Sequence, residues 1–223
     1  MQLKSFIIVI SITFLHVSLS FARAGGGSGG GGNSFRAIGV IIGLINLLLI
    51  TIFIHRKNKK AKENIELSQE LDPLWNYDEM TNFTSDVFMR MQHAWSERDM
   101  DLVKDIVTER LYLDFKKQLD WMKVKREQNL LEDIELKKVE IIGDEDYLDN
   151  ELDRFTVYIK GKMIDYKISD KTMKIIENKS KKKKAFLDLY YFTRHENKWL
   201  LDKIDNQVSL SKVIKSKQVI DLT

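Results

Sequence analysis

The sequence DLYYFTRHENKWLLDKI, residues 188–204, indicates what kind of fold the chain adopts. Aromatic and branched apolar residues alternate with polar ones on both sides of the turn His195-Glu196-Asn197-Lys198. This alternation predicts two antiparallel strands, 186–193 and 199–204, joined as a hairpin. The hairpin therefore predicts β structure up to residue 204.

Upstream of the hairpin the same period of two recurs. Phe155, Val157 and Ile159 alternate cleanly, and 163–168 continues as a strand. Residues 134–141 alternate with a slip of one position, which predicts a β-bulge in the first strand.

The period changes to that of a helix before residue 127. Apolar residues recur every three or four positions over 78–97, which predicts an amphipathic helix. Asp99 and Thr108 are then N-cap residues of a short helix, 100–106, and a longer one that fades near Arg126. Helices followed by a meander of strands predict an α+β domain over 75–205, with the helices on one face of a curved antiparallel sheet. Residues 206–223 are left as a C-terminal tail.

The N-terminal part carries two apolar runs separated by glycine. Residues 1–24 have a cation, about fourteen apolar residues and a small-x-small ending, the layout of a signal peptide. Residues 25–36 form a Gly-rich extracytoplasmic segment. The second run, 37–54, has no charged residue and is long enough for a single transmembrane helix.

Basic residues follow the second run within a charged linker, 55–74. The positive-inside rule places that side, and the domain behind it, in the cytoplasm, which predicts a single-pass protein of a bacterial plasma membrane. The same cations are predicted to contact anionic lipid headgroups: Arg56, Lys57, Lys59, Lys60 and Lys62.

The distribution of charge argues against nucleic acid as a general partner. The chain has 36 Lys+Arg and 33 Asp+Glu; eight of the basic residues but none of the acidic ones precede residue 63. The soluble part therefore carries 28 basic against 33 acidic residues, a net charge of −5. A mildly acidic domain makes nucleic acid an unlikely partner apart from a ribosome contact through the lysine-rich loop at 179–184.

The transmembrane run contains one candidate contact face. Gly39, Gly43 and Asn46 lie along one side of a helix, which would let a second copy approach closely with a polar contact across it. A homo-oligomer through this helix is one prediction. A chance GxxxG is the alternative.

The sequence contains no motif that indicates catalysis. There are no cysteines and only four histidines, and no phosphate-binding glycine loop, nucleophile elbow or paired metal-ligand spacing. We therefore expect a protein that is not an enzyme and needs no cofactor or metal.

Two stretches resemble a known family. AWSERDMDLVKDIVTERLYLDFKKQL, residues 94–119, and the hairpin above are similar to bacterial relatives of the membrane-tethering subunit of the mitochondrial inner-membrane import motor. Its C-terminal domain also occurs in a protein of the mitochondrial large ribosomal subunit. The resemblance implies a cone of helices against a bent sheet, similar to cystatins and nuclear transport factor two.

Cones of this kind leave an apolar hollow at the wide end. The residues predicted to line it are Phe88, Trp95, Phe115, Tyr190, Phe192 and Trp199. They form either a pocket for an acyl chain or apolar peptide, or simply the core. Asp188 and Arg194 share the same strand face, as a polar tip or a structural pair.

Three functions follow from these observations. The first is a membrane-anchored, non-catalytic scaffold that binds lipids and other proteins at the cytoplasmic face and aids translocation or assembly of membrane proteins. The second is a binder of a lipid or small molecule in the hollow. The third is a tether between ribosome and membrane.

Overall fold

The computed structural model describes residues 33–221, with side chains from Ile38 onward. The signal peptide and most of the Gly-rich segment lie outside these described residues. The chain forms two compact units, one up to Leu49 and one from Ile50 to the C-terminus. The described part of the first unit is the beginning of a helix, and every other element belongs to the second unit.

Within residues 33–221, three long helices precede the sheet. Helix α1 spans Asn33–Gln69, α2 spans Tyr77–Glu97 and α3 spans Glu109–Val124. A short 3₁₀ turn, Met100–Val103, connects α2 to α3. The helical segments predicted over 78–97 and from 109 are confirmed, although the predicted short helix is only this four-residue turn.

Both predicted N-cap residues, Asp99 and Thr108, accept a backbone hydrogen bond through the side-chain oxygen. Asp99 accepts a hydrogen bond from the backbone N–H of Asp101, and Thr108 accepts one from the N–H of Leu111. Each cap satisfies a donor at the start of its helix that has no partner within the helix.

Helix α1 is longer than the apolar run that begins it. The sequence suggested a charged linker after Ile54, but the structure continues the helix for four more turns to Gln69 and turns the chain only before Pro73. Among the described residues, α1 is the one helix long and apolar enough to cross a membrane.

The sheet has six strands. They are β1 Glu127–Asp146, β2 Arg154–Ser169, β3 Ile175–Glu177, β4 Lys183–His195, β5 Lys198–Asp205 and β6 Gln218–Ile220. Their order is β5-β4-β2-β1-β6, and β3 pairs with β2. The predicted hairpin is β4–β5.

The α+β class is confirmed, with one correction to the sheet. Strand β6 runs parallel to β1, so the sheet is mixed rather than wholly antiparallel. The sequence assigned this segment to a tail because β6 has only three residues and its partner lies some 70 residues away. A short helix, α4 (Leu210–Lys215), precedes β6.

Register shifts bend the first two strands. The pairing of β1 with β2 slips between Glu132 and Glu135, between Leu136 and Lys138, and between Ile141 and Gly143. The second of these is the predicted bulge. Bulges increase the local twist, and the sheet accordingly curls around the helices.

The main core lies between the helices and the inner face of the sheet. Phe155 of β2 stacks on Phe192 of β4 with ring centres 4.4 Å apart, and Phe88 of α2 stacks on Phe186 at 5.3 Å. Both pairs have nearly parallel rings. Offset aromatic pairs of this kind stabilise the fold by more than the burial of their apolar area alone.

A second, smaller apolar cluster covers the outer face. Val157 and Ile159 belong to the main core while Tyr158, between them, belongs to the second cluster, as alternation along a strand requires. Val208 and Val213 from the chain end pack onto Tyr158 and its neighbours and are buried. The C-terminal segment is therefore packed structure.

Candidate functional site

The second half of α1 is docked on the folded unit. Ile50 and Ile54 are buried in the outer-face cluster with Ile142 of β1 and Leu189 of β4. Ala61 and Ile65, farther along, are buried in the main core. Docking therefore begins at Ile50, inside the apolar run predicted to span a membrane.

Polar contacts accompany the apolar ones along this docking face. The Asn58 side-chain amide donates to the hydroxyl of Tyr77 at 2.5 Å and to the carbonyl oxygen of Ile141 at 3.1 Å. The Lys57 ammonium bonds to the carbonyl of Ser216. Each contact joins α1 to a different part of the folded unit.

Two carboxylates of β1, the buried Asp144 and the half-buried Asp146, complete the face. Asn64 donates to Asp144 Oδ2 at 2.5 Å, and Ser68 donates to Asp146 Oδ2, also at 2.5 Å. Gln218 of β6 donates to the other oxygen of Asp144 at 3.0 Å. We refer to residues 58, 61, 64, 65 and 68 of α1 as the docking seam.

The pKa values of two charged groups beside the docking seam, Asp144 and Lys57, are shifted. Burial raises the pKa of Asp144 to about 7, although the hydrogen bonds from Asn64 and Gln218 and the charges of Lys60 and Lys57 oppose the shift. Burial lowers the pKa of Lys57. Both shifts follow from the cost of removing a charge from water.

A buried arginine ties the end of α1 to the sheet. The Arg194 guanidinium pairs with Asp72, which follows α1, and with Asp153, at 3.1 Å, which precedes β2. Asp153 also accepts the backbone N–H of Tyr147 at 2.8 Å. Burial raises the pKa of Asp153 to about 6.

Asp188, on the same strand face as Arg194, has a different partner. Its carboxylate accepts a hydrogen bond from Asn206 at 2.9 Å, and burial raises its pKa to about 6. Asp188 and Arg194 are both buried. The two residues therefore act in separate networks rather than as a polar tip.

An open groove of about 330 Å³ adjoins the Arg194 network. Leu71 and Leu148 are exposed at its rim. Its lining consists of Ser68, Leu71, Asp72, Asp146, Tyr147, Leu148, Asn150, Arg194 and Asp221. The one cation of the lining is already paired with carboxylates, so the groove is acidic.

The six aromatic residues predicted for the hollow are brought together by the structure. Phe88, Tyr190, Phe192 and Trp199 are buried members of the main core, and Trp95 and Phe115 pack against it. Their rings contact one another or core neighbours; Trp95 and Phe115, for example, meet edge to face at 5.5 Å. The groove beside Arg194 is lined by none of the six.

The predicted headgroup residues divide into two groups. Arg56, Lys59, Lys60 and Lys62 are exposed, whereas Lys57 is half-buried by its contact with Ser216. The lysine-rich loop is partly neutralised, because Lys181 pairs with Glu132 at 3.0 Å and Lys183 pairs with Asp133 at 2.9 Å.

The predicted transmembrane contact face is open in this structure. Gly39, Gly43 and Asn46 are exposed, and a methyl group added at either glycine would meet no atom within 4 Å among the described residues. The face therefore has the room that close helix approach requires.

The docking seam was missed from the sequence. Its residues recur at three- and four-residue intervals, which is a helical period, but all except Ile65 are small or polar, in a segment dominated by charge. Their partners Asp144 and Asp146 lie about 80 residues away in the sequence. The spacing was the one available signal.

The described residues thus form an α+β domain preceded by a helix long and apolar enough to cross a membrane, which is the architecture of a membrane-associated protein. Comparison with protein families gives the particular family: the model of the Tim44-like domain matches residues 61–206. The chain therefore belongs to the Tim44-like domain family, a membrane-associated scaffold and tether family, and the resemblance noted in the sequence is confirmed.

Other comparisons add little. No curated protein matches the chain. Among solved structures, the chain is similar to the one titled "Crystal structure of intermembrane space region of chloroplast protein ARC6", at 7% identity and a TM-score of 0.40. That match covers 58% of this chain and 97% of the other.

Proposed function

We propose that this protein is a membrane-anchored, non-catalytic scaffold whose domain is held at the cytoplasmic face and binds other proteins during translocation or assembly. The observation that carries the proposal is the docking of α1. The helix that contains the apolar run is also an integral part of the folded unit, through the buried residues Ile54, Ala61 and Ile65.

Docking of this kind suits a scaffold. The part of α1 from Ile50 onward is packed on the folded unit, whereas a flexible linker would make no such contacts. Anchoring also raises the local concentration of the domain near membrane partners without any new contact.

The orientation rests on charge. Five basic residues follow the apolar run within 55–62, and only Arg36 precedes it closely. Lys and Arg are retained on the cytoplasmic side of a spanning helix. The exposed members of this cluster are also suited to anionic headgroups.

The absence of cysteine from the sequence permits a direct test of orientation. Cysteine is introduced singly at Ser28, in the Gly-rich segment, and at Lys179, in the lysine-rich loop. Intact spheroplasts are treated with a maleimide that does not cross membranes, and permeabilised ones serve as the control. We expect Ser28→Cys to react in both samples and Lys179→Cys only after permeabilisation.

Two results would reject the proposal. One is labelling of Lys179→Cys in intact spheroplasts, since it places the domain outside. The other is release of the protein by alkaline carbonate, because a spanning helix resists that extraction. The scaffold role itself is tested by crosslinking in native membranes, with identification of the proteins joined to the chain.

A further inference from the structure

The groove beside Arg194 brings together two exposed leucines. Leu71 follows α1 and is 71% exposed, and Leu148 lies between β1 and β2 and is 66% exposed. They are the two most exposed leucines among the described residues, and both line this one groove. An apolar side chain placed in the groove removes part of their surface from water. The rim is therefore suited to an apolar group of another molecule.

The chain on both sides of the groove is acidic. Residues 66–72 contain three Asp/Glu and residues 145–153 contain five, and neither stretch contains Lys or Arg. Arg194 and Lys217 form ion pairs with members of this set, His195 contacts one of them, and Arg154 follows the second stretch. Even if all four of these groups carry a positive charge, the eight carboxylates are in twofold excess. The groove therefore lies in a region of net negative charge.

The excess extends into the groove itself. Asp72, Asp146 and Asp221 line it, and among the described residues Arg194 is the one cation that does so. That guanidinium is already shared between Asp72 and a second carboxylate. Burial raises the pKa of Asp146, and the nearby charge of Asp72 adds to the shift although a hydrogen bond from Ser68 opposes it. A cation that enters the groove relieves this repulsion between carboxylates.

Other occupants fit the groove less well. Carboxylates repel anionic lipid headgroups and nucleic acid. From Ile54, the last residue of the apolar run, to Ser68 in the groove lining, α1 rises by about 21 Å. No group of three or more His, Cys, Asp or Glu side chains within the described part of the chain is arranged to hold a metal ion.

We propose that this groove binds a basic segment of a partner protein in which Lys or Arg residues flank an apolar one. The apolar residue packs on Leu71 and Leu148, and the flanking cations pair with Asp146 and Asp221. Opposite charge steers the segment to the groove and sets its register, while burial of the leucines retains it there. The proposal deepens the scaffold function and rests on it.

The test uses the full chain in nanodiscs of phosphatidylcholine, with empty nanodiscs as the blank. The probe is a short fluorescein-labelled peptide in which pairs of lysines flank single leucines. A second peptide has glutamate at every lysine position, and a third has serine at every leucine position. Binding is measured by fluorescence anisotropy at low and at high salt.

We expect saturable binding of the lysine–leucine peptide above the blank, weaker binding of the serine peptide and none of the glutamate peptide. High salt weakens the binding, because screened charges attract each other less. Asp221→Lys weakens it about tenfold, since a repulsion replaces an attraction. Leu148→Ala weakens it about fivefold through lost apolar contact. Both side chains are exposed, so neither change disturbs the core.

Helix α3 supplies matched controls away from the groove. Asp114→Lys makes the same change of charge as Asp221→Lys at another exposed position. Leu113→Ala makes the same truncation as Leu148→Ala at a leucine that is also exposed. Both control variants keep the affinity of the wild type for the lysine–leucine peptide.

Four results overturn the proposal. They are no saturable binding above the blank, equal binding of the lysine and glutamate peptides, equal losses in Asp221→Lys and Asp114→Lys, and an unchanged affinity in Leu148→Ala. Sedimentation of the full chain gives a further arm, because self-association that Asp221→Lys abolishes would make a second copy the occupant and reject a separate partner.

Failure of the groove is distinguishable from failure of the scaffold function. Asp221→Lys and Leu148→Ala leave the cysteine labelling pattern and the carbonate resistance intact. Loss of peptide binding in the wild type therefore rejects the groove alone, whereas labelling of Lys179→Cys in intact spheroplasts rejects the scaffold function whatever the groove binds.

Discussion

The docking of α1 predicts that Ile65 contributes to the stability of the domain. Ile65 is 1% exposed and lies in the main core. Truncation to alanine removes three carbon atoms, worth about 2.4 kcal/mol at about 0.8 kcal/mol each. The cavity that remains adds to this loss, and the total for Ile→Ala is about 2–5 kcal/mol.

The structure supplies a matched control two residues away. Leu67 belongs to the same helix but is 51% exposed, so Leu67→Ala changes the free energy of unfolding by less than about 0.5 kcal/mol. Helix propensity favours alanine over isoleucine and differs little between alanine and leucine. Backbone effects therefore cannot produce the expected order of the two variants.

The assay is thermal unfolding of the full chain in neutral detergent, followed by the fluorescence of the buried tryptophans. The folded unit runs from Ile50 to Thr223, and for a unit of this size each kcal/mol moves the midpoint by about 2–4 °C. A loss of about 3 kcal/mol in Ile65→Ala thus lowers the midpoint by about 6–12 °C. Equal midpoints for the Ile65 and Leu67 variants would refute docking of α1, because a solvated linker treats both positions alike.

Three further outcomes are expected from urea or thermal unfolding. Gly161→Ala lowers stability by about 1–3 kcal/mol, because the added methyl would lie 2.5 Å from the carbonyl oxygen of Glu135; an unchanged midpoint would contradict the close strand packing there. Asp144→Asn becomes more stable relative to the wild type as the pH rises from about 4 to about 7. The wild type loses stability over this range because burial raises the pKa of Asp144 to about 7 in the folded state, whereas asparagine does not titrate. A difference in stability that does not change with pH would argue against the shift. Asp153→Ala costs about 3–5 kcal/mol by leaving the buried Arg194 short of a partner, and a loss below 1 kcal/mol would mean that Asp72 suffices.

Elements with a strong local pattern could be predicted from the sequence. Helix α2 was expected over 78–97 and is Tyr77–Glu97, because its apolar residues follow the helical period without interruption. The hairpin β4–β5 has clean alternation and a short polar turn. The bulge in β1 was visible because a single inserted residue shifts the alternation by one.

Elements held by distant contacts could not be predicted. Strand β6 has three residues, and its place beside β1 depends on the pairing of Gln218 with Asp144. Val213 is fully buried, but the apolar residues around it are too few to establish a period. The burial of such a segment is decided by the surface that it meets, which a local pattern does not contain.

The candidate sites show the same division. The six aromatic residues lie in or against the main core, because alternating strand residues and helical stripes face the same interior. Their packing against one another depends on three-dimensional fit. The ion-pair partners of Arg194, Asp72 and Asp153, come from two separate regions of the chain, so strand alternation could give its face but not its ion pairs.

The mixture of apolar and polar contacts in the docking seam has a physical consequence for α1. Apolar residues spaced by four, such as Ala61 and Ile65, would meet similar surroundings if the helix slid by one turn. The hydrogen bonds of Asn64 and Ser68 would change, because a slide of one turn leaves only one of these two donors opposite either carboxylate, the buried Asp144 or the half-buried Asp146. An unsatisfied buried group costs about 1–3 kcal/mol. The polar contacts therefore fix the register of α1, while the apolar contacts provide most of the affinity of the helix for the domain.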